Sequence, residues 1–166
     1  MSYSIVFSSR TGNTKQLAEK IQQTLPQEGC VYFGYPGAQA LQADRLYVGF
    51  WTDKGTCDED TAAFLKTVEH KEVFLFGTAG FGGAPAYFEK ILASVQTNLG
   101  EGCTVVGTFM CQGKMPVSVR ERYEKMLNGP APAVNLKAMI ENFDQALSHP
   151  SEQDLKALAM KVFELK

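Results

Sequence analysis

The chain has 166 residues, of which 45% are hydrophobic and 20% are charged, and its formal net charge is -2 at pH 7. This length and composition are typical of one ordinary globular domain, so we expect residues 1–166 to form a single domain. The charge predicts no nucleic-acid partner and no anionic membrane surface, and no apolar run approaches the roughly 20 residues that span a membrane.

Five short apolar runs predict buried β-strands. Each run is nearly continuous in apolar residues, as in parallel strands that are covered on both faces. In chain order they are Ile5–Phe7, Val31–Phe33, Leu46–Trp51, Val73–Phe76 and Val105–Met110.

Amphipathic segments between the strands predict helices. One helix begins near Asn13, and apolar residues at helical spacing predict others over 62–68 and 87–95. The last helix begins near Ser151, which has an acidic residue three positions later, as in a helix start signal. The connection Tyr35–Ala43 is short and contains Gly and Pro, so we expect a small or irregular helix there. This alternation predicts an α/β fold, a parallel sheet with helices on both faces.

The segment 116–147 is the hardest to place from its pattern. Helical spacing recurs over 119–127 and again over 136–143. Between these two stretches the chain is interrupted by three helix-breaking residues, Gly129, Pro130 and Pro132.

The cysteines and histidines predict no metal site. The chain has four cysteines, none at C-x-x-C spacing, and only two histidines. Free thiols in a reducing cytosol are the main interpretation, and a redox pair of Cys57 and Cys111 is the alternative. Because no charged leader precedes the first apolar run, we expect no signal peptide and a cytoplasmic location.

The segment Ser8–Lys15, with the sequence SSRTGNTK, joins the first predicted strand to the first predicted helix. A helix N-terminus binds anions because its N–H groups are unpaired and its dipole end is positive. Gly12 lets the backbone turn closely around a ligand. Short polar side chains add donors at Ser9, Thr11, Asn13 and Thr14. An ordinary N-capped turn is the alternative interpretation. The loop lacks the triphosphate-binding and dinucleotide patterns, so one terminal phosphate is the expected ligand.

This loop resembles the phosphate-binding loop of flavodoxins. The family motif S-x-T-G-N-T is matched position by position by Ser9, Arg10, Thr11, Gly12, Asn13 and Thr14. The resemblance extends over roughly residues 4–113 and a final helix at 151–165. It implies a three-layer flavodoxin-like fold, with a five-stranded parallel sheet in the order 2-1-3-4-5. It also implies a short-chain bacterial flavoprotein with non-covalent FMN at the switch point between strands 1 and 3.

The resemblance further implies that the flavin ring lies between the loops after strands 3 and 4. Aromatic faces stack on such a ring, and N–H groups bond its polar edge. The first loop offers Phe50, Trp51, Thr52 and Gly55 as cofactor-binding residues, and the second offers Thr78, Ala79, Gly80, Phe81 and Gly82. Gln112, after strand 5, is a candidate for a bond to a ring carbonyl. The match departs from the family at Trp51, which precedes Thr52, whereas flavodoxins often carry a tryptophan after a Ser-Thr pair.

The resemblance implies electron transport, and the residues themselves suggest no acid–base catalysis. No His–Asp or Cys–His arrangement is readable, so no catalytic residue is assigned. We expect one-electron shuttling between redox partner proteins by a monomer or weak dimer. An NAD(P)H-dependent FMN or quinone reductase on the same fold is the alternative, and a scaffold without FMN is the third hypothesis. In the family a glycine peptide beside the ring changes orientation on reduction, and Lys54–Gly55 matches its position. Lys54 and Lys114 are the lysines expected to influence the flavin potential.

Overall fold

The computed structural model describes residues 1–82, 84–129 and 135–165. Its strands are β1 (Tyr3–Phe7), β2 (Cys30–Gly34), β3 (Arg45–Asp53), β4 (Thr56–Cys57), β5 (Glu72–Ala79) and β6 (Thr104–Gln112). The five long strands are parallel, in the order β2-β1-β3-β5-β6. This is the predicted order once β4 is set aside, so the predicted flavodoxin-like sheet is confirmed.

The short strand β4 is missing from the sequence prediction. It pairs antiparallel with the end of β3 through a two-residue turn formed by Lys54 and Gly55. Both turn residues have positive φ, 52° and 83° respectively, which is the backbone that tight hairpins require. Most such hairpins have an Asn-Gly or Asp-Gly pair in the turn. Here a lysine, which is uncommon in this conformation, precedes the glycine, so the sequence does not mark the hairpin.

Six α-helices among the described residues connect and cover the strands. They are α1 (Asn13–Thr24), α2 (Glu59–Leu65), α3 (Pro85–Gln96), α4 (Val117–Leu127), α5 (Leu136–Ala146) and α6 (Glu152–Glu164). Each coincides with a segment that the sequence predicts to be helical. The connection after β2 contains only a short 3₁₀ helix, Ala38–Gln42, as its Gly and Pro residues predict. Pro130 and Pro132 lie outside the described residues.

Two apolar cores lie on opposite faces of the sheet. Side chains alternate along each strand, so Val6 packs with α2 and α3, whereas Ile5 and Phe7 pack with α1 and α6. Cys57 belongs to the first core and Cys111 to the second. Both thiols are free and buried, and burial raises the pKa of each. The sheet therefore separates them, and the alternative of a direct Cys57–Cys111 pair is not formed.

Helices α4 and α5 form a hairpin at the carboxyl edge of the sheet. The two helices are joined by an ion pair in which Arg120 Nε lies 2.9 Å from Asp144 Oδ1. Tyr123 on α4 and Phe143 on α5 are buried. The two helices account for the described parts of the segment that the sequence pattern left hardest to place, residues 116–129 and 135–147. Among the described residues, no helix is long and apolar enough to cross a membrane.

The start of α6 is fixed by a capping box. Ser151 Oγ accepts from the Asp154 N–H at 3.2 Å, and Asp154 Oδ2 accepts from the Ser151 N–H at 2.7 Å. We predict that Ser151→Ala lowers the free energy of unfolding by about 1 kcal/mol, because one N–H at the helix start loses its acceptor. Urea unfolding followed by circular dichroism measures the change.

The control for this prediction is Ser148→Ala. Ser148 is exposed, and its hydroxyl donates only to Gln145 O at 3.4 Å. Its replacement is expected to change stability by less than about 0.5 kcal/mol. Equal destabilisation by the two variants would contradict a specific capping contribution.

Candidate functional site

A cleft of about 510 Å³ opens at the carboxyl edge of the sheet. Its walls come from the start of α1, the turn between β3 and β4, the loop after β5, and the chain from the end of β6 into α4. The volume lies within the roughly 300–1,000 Å³ of small-molecule sites. Open parallel sheets bind their ligands at this edge, outside the carboxyl ends of the strands.

A larger cleft of about 740 Å³ lies at the opposite edge, around the amino ends of β1 and β3. Its main polar groups are already paired. Tyr3 Oη donates to Pro26 O at 2.8 Å, and Arg45 forms an ion pair with Glu72 at 2.7 Å. Burial is the main reason that the pKa of Tyr3 is raised to about 12. We assign the functional site to the smaller cleft, because several polar groups around it have no hydrogen-bond partner among the described residues.

Residues 9–14, here called the anion loop, leave backbone donors unpaired. Gly12 is the N-cap of α1 with φ 93°, and no side chain caps the helix. Ser9 Oγ accepts from the N–H groups of Gly12 and Lys15 at 3.1 and 3.3 Å. Three further N–H groups have no acceptor among the described residues, those of Thr11, Asn13 and Thr14. With no acidic residue in the first turn, this helix start is suited to an anion.

Asn13 and Thr14 anchor the anion loop to the strands around it. Thr14 Oγ1 donates to Phe50 O at 3.0 Å and lies 3.1 Å from Thr78 Oγ1. Asn13 Nδ2 donates to Lys114 O at 2.8 Å, which fixes the orientation of the amide. Its other atom, Asn13 Oδ1, is buried without a hydrogen-bond partner among the described residues. A buried unpaired acceptor in a cleft wall indicates a missing donor, such as a ligand hydroxyl.

Trp51 stands at the end of β3, half-buried in the cleft wall. Its backbone is fixed by Asp58, whose carboxylate accepts from Trp51 N at 3.3 Å and from the Thr61 N–H at 3.1 Å, where it caps α2. The guanidinium carbon of Arg10 lies 5.4 Å from the centre of the Trp51 ring. A cation at this distance is attracted to the electron-rich ring face. The anion loop and the β3 end are therefore coupled through these two side chains.

The Gly80 carbonyl is held from the side of α5. Asn142 Nδ2 donates to Gly80 O at 2.9 Å, and Gln112 Nε2 donates to the same oxygen at 3.2 Å. Gln112 Nε2 also donates to Asn142 Oδ1 at 2.9 Å, which links the two amides. In a planar trans peptide the N–H points opposite to the C=O. Fixing the Gly80 carbonyl therefore fixes the Phe81 N–H on the side away from these amides.

Comparison with known proteins identifies the family. The family model of the flavodoxin domain matches residues 4–163, nearly the whole chain. The chain is a member of the flavodoxin family. It is 42% identical to the flavodoxin-like domain-containing protein BilS of Clostridium symbiosum over 174 residues, which cover 95% of this chain and 92% of BilS.

Solved structures confirm the flavodoxin-like fold. Flavodoxin 2 from Bacillus cereus is 17% identical, with a TM-score of 0.54 and 99% of both chains covered. A flavoprotein from Lactobacillus acidophilus, solved in complex with FMN, is 16% identical with a TM-score of 0.50, and the match covers 66% of this chain and 92% of that chain.

Most cofactor-binding positions predicted for this chain line the cleft. They are Arg10, Thr11, Asn13, Trp51, Thr52, Gly55, Thr78, Ala79, Gly80 and Phe81. Ser9 and Gly12 belong to the anion loop without lining the cleft itself. Gly82 lies against Gln112, whose Cγ would be 2.6 Å from an added Cβ. The structure thus brings these positions together, and their roles toward a cofactor stay predictions.

Three predicted positions direct their side chains elsewhere. The Phe50 ring is fully buried and packs over Gly77, because β3 turns this residue toward the core shared with α2 and α3. The Gln112 amide N–H₂ is engaged with Gly80 O and α5 rather than free for a ring carbonyl. The Thr14 hydroxyl proton is donated to Phe50 O, so only its N–H is left for a ligand.

Other site residues are absent from the sequence prediction. Tyr35 Oη donates to Ser9 O at 3.1 Å and supports the anion loop from the chain after β2. Arg122 lines the cleft from α4, and Asn142 reaches the loop after β5 from α5. These contacts join segments far apart in the chain, so no local pattern marks them. No cluster of three or more potential metal ligands occurs among the described residues.

We predict that Asn142→Ala loosens the loop after β5. Gly80 O loses its shorter side-chain donor, so the free energy of unfolding is expected to fall by about 1–2 kcal/mol. Amide hydrogen exchange in the peptide that contains Gly80, Phe81 and Gly82 is expected to accelerate, as measured by mass spectrometry.

The matched control for this prediction is Glu141→Ala, at the neighbouring exposed position of α5. Glu141 makes no side-chain hydrogen bond among the described residues. Unchanged exchange in Asn142→Ala, or equal exchange in both variants, would show that the amide does not hold the loop.

Proposed function

We propose that this flavodoxin binds one FMN non-covalently in the carboxyl-edge cleft and carries electrons between redox partner proteins. The observation that carries the proposal is the anion loop, where the N–H groups of Thr11, Asn13 and Thr14 lack acceptors at the positive end of α1. When bound, FMN supplies one- and two-electron redox chemistry, while the protein orients the cofactor and tunes its potential.

The cleft suits the three parts of FMN. The unpaired N–H groups of the anion loop are donors for a terminal phosphate. Asn13 Oδ1, buried without a partner, is an acceptor for a hydroxyl of the ribityl chain. Trp51 and Phe81 offer aromatic faces for the ring, and the Phe81 N–H offers a donor for its edge. Gly80 keeps this wall close, since an added Cβ would lie 2.6 Å from Met115 Sδ.

Charge around the cleft supports redox tuning. Lys54 and Lys114 line it, and a positive charge near the ring favours the more negative, reduced cofactor and so raises its potential. The Lys54–Gly55 turn has open space around it, because a Cβ on Gly55 would meet no atom within 4 Å. This freedom supports the proposal that the peptide of this turn changes orientation with the redox state.

The residues that line the cleft are compatible with an electron carrier. The described part of its lining contains no His, Cys, Asp or Glu, which are the residues that most often transfer protons near neutral pH. Electron transfer between proteins needs no such group, so this lining meets what an electron carrier requires.

The deciding experiment reconstitutes the purified protein with FMN and adds NADH or NADPH anaerobically. We expect flavin absorbance to appear on reconstitution, to persist with either nucleotide, and to disappear with dithionite. Bleaching by a nucleotide together with quinone turnover would establish the reductase instead. A protein that ignores added FMN would overturn FMN binding itself.

We predict that Thr11→Val weakens FMN binding by about 10- to 100-fold, because a hydroxyl donor to a charged phosphate is lost. Thr11 Oγ1 accepts from Asn13 Nδ2 at 3.2 Å, and its own proton is given to no described residue. Riboflavin, which lacks the phosphate, is expected to bind both proteins equally. Fluorescence titration of each flavin measures the two affinities.

Two further variants separate this role from a structural one. Thr14→Val is expected to weaken FMN and riboflavin together, since the Thr14 hydroxyl holds the loop to Phe50 O. Thr97→Val, whose exposed hydroxyl donates to Ser94 O on α3, is expected to change neither affinity. Parallel loss of both flavins in Thr11→Val would refute the phosphate contact.

A further inference from the structure

The four arginines of the chain divide into two kinds. Arg45 is ion-paired with Glu72, and Arg120 is ion-paired with Asp144. Arg10 and Arg122, the two arginines that line the cleft, form no ion pair among the described residues. A guanidinium prefers a bidentate carboxylate or phosphate partner. The two arginines without an ion pair among the described residues therefore lie at the same edge of the sheet.

Two lysines extend this charge around the cleft. Lys54 comes from the β3–β4 turn and Lys114 from the chain after β6, and both are exposed without an ion pair among the described residues. The described lining contains no Asp or Glu, although the whole chain has 18 acidic and 16 basic residues. The nearest carboxylates along the chain, Asp53 and Glu121, are not in the lining. A mildly acidic protein thus presents a positive cleft.

Exposed apolar side chains lie at or beside this cleft. Phe81 is 42% exposed at the cleft, and Val117 is 64% exposed beside the lining residues Pro116 and Ser118. Protein interfaces combine an apolar centre with a polar or charged rim, and complementary charge steers the partners into contact. Four cations exceed the two charges of an FMN phosphate, so positive charge remains for a partner when the cofactor is bound.

We propose that this face docks an acidic redox protein, whose carboxylates surround its own electron-exchange site. Carboxylates of the partner pair with Arg10, Lys54, Lys114 and Arg122, and the apolar centre packs against Phe81 and Val117. This inference rests on the proposed FMN function. One electron passes from reduced FMN to the oxidised centre of the partner, and no bond is formed or broken between the proteins.

The test uses the FMN-loaded protein, reduced anaerobically, and two oxidised acceptors of opposite charge. Plant plastocyanin is acidic and its Cu(II) accepts one electron to become Cu(I), whereas cytochrome c is basic and its Fe(III) becomes Fe(II). Stopped-flow absorbance measures the second-order rate with each acceptor. At low ionic strength we expect the plastocyanin rate to be the higher one and to fall as salt is added, with little fall for cytochrome c.

Two charge reversals locate the effect. Arg122→Glu and Lys156→Glu change the net charge equally, but Lys156 lies exposed on α6, away from the cleft lining. We expect Arg122→Glu to lower the plastocyanin rate at low ionic strength about three- to tenfold and to raise the cytochrome c rate. Lys156→Glu is expected to change either rate by less than about twofold.

The outcomes separate this inference from the FMN assignment. If the protein binds no FMN, the proposed function itself is refuted. If FMN binds but both reversals change the rates equally, net charge is responsible and the docking face is refuted. If Arg122→Glu weakens FMN binding more than tenfold, Arg122 belongs to the cofactor site and the inference is also overturned. A slower reaction with ferricyanide but an unchanged plastocyanin rate would show a small-anion effect and refute protein docking.

Discussion

The cleft depends on the start of α1. Side-chain hydrogen bonds fix this helix start to the neighbouring strands, while three of its backbone N–H groups have no acceptor among the described residues. Thr14 Oγ1 bonds the end of β3 through Phe50 O and lies against Thr78 of β5, and Asn13 Nδ2 bonds Lys114 O after β6. These bonds fix the helix start at the carboxyl edge before a ligand arrives. A donor set that is already in place loses little entropy on binding, which is the physical advantage of preorganisation.

The sequence predicts the sheet and the anion loop because each of them is specified by residues that are close together in the chain. The Ser9–Thr14 motif is continuous, and the central strands β1, β3 and β5 are mainly buried apolar runs. A continuous apolar run does not show which way each side chain points. Leu46–Trp51 has no alternation of polar and apolar residues. Its pattern therefore does not show that Phe50 faces the core while Trp51 reaches the cleft. The β3–β4 hairpin is missed because its turn pairs glycine with lysine.

The contacts that shape the cleft arise between distant parts of the chain. Asn142 and Gly80 are 62 positions apart, and Tyr35 meets Ser9 across 26 positions. Both Asn142 and Arg122 lie in the α4–α5 hairpin, the segment that is hardest to place from its sequence. The family motif therefore predicts where an anion binds, whereas Arg122 and the Asn142 contact come from a segment that only the folded structure places at the site.

Net charge and local charge lead to different conclusions about this protein. A net charge of -2 predicts no strong field, yet two lysines and two arginines without an ion pair among the described residues meet at one cleft, while Arg45 and Arg120 are neutralised by ion pairs. At 0.1 M ionic strength, charges that are more than about 10 Å away are largely screened. An approaching molecule therefore responds to the charges at the cleft rather than to the net charge of the chain. The position of each cation, which the fold alone determines, therefore decides what this cleft attracts.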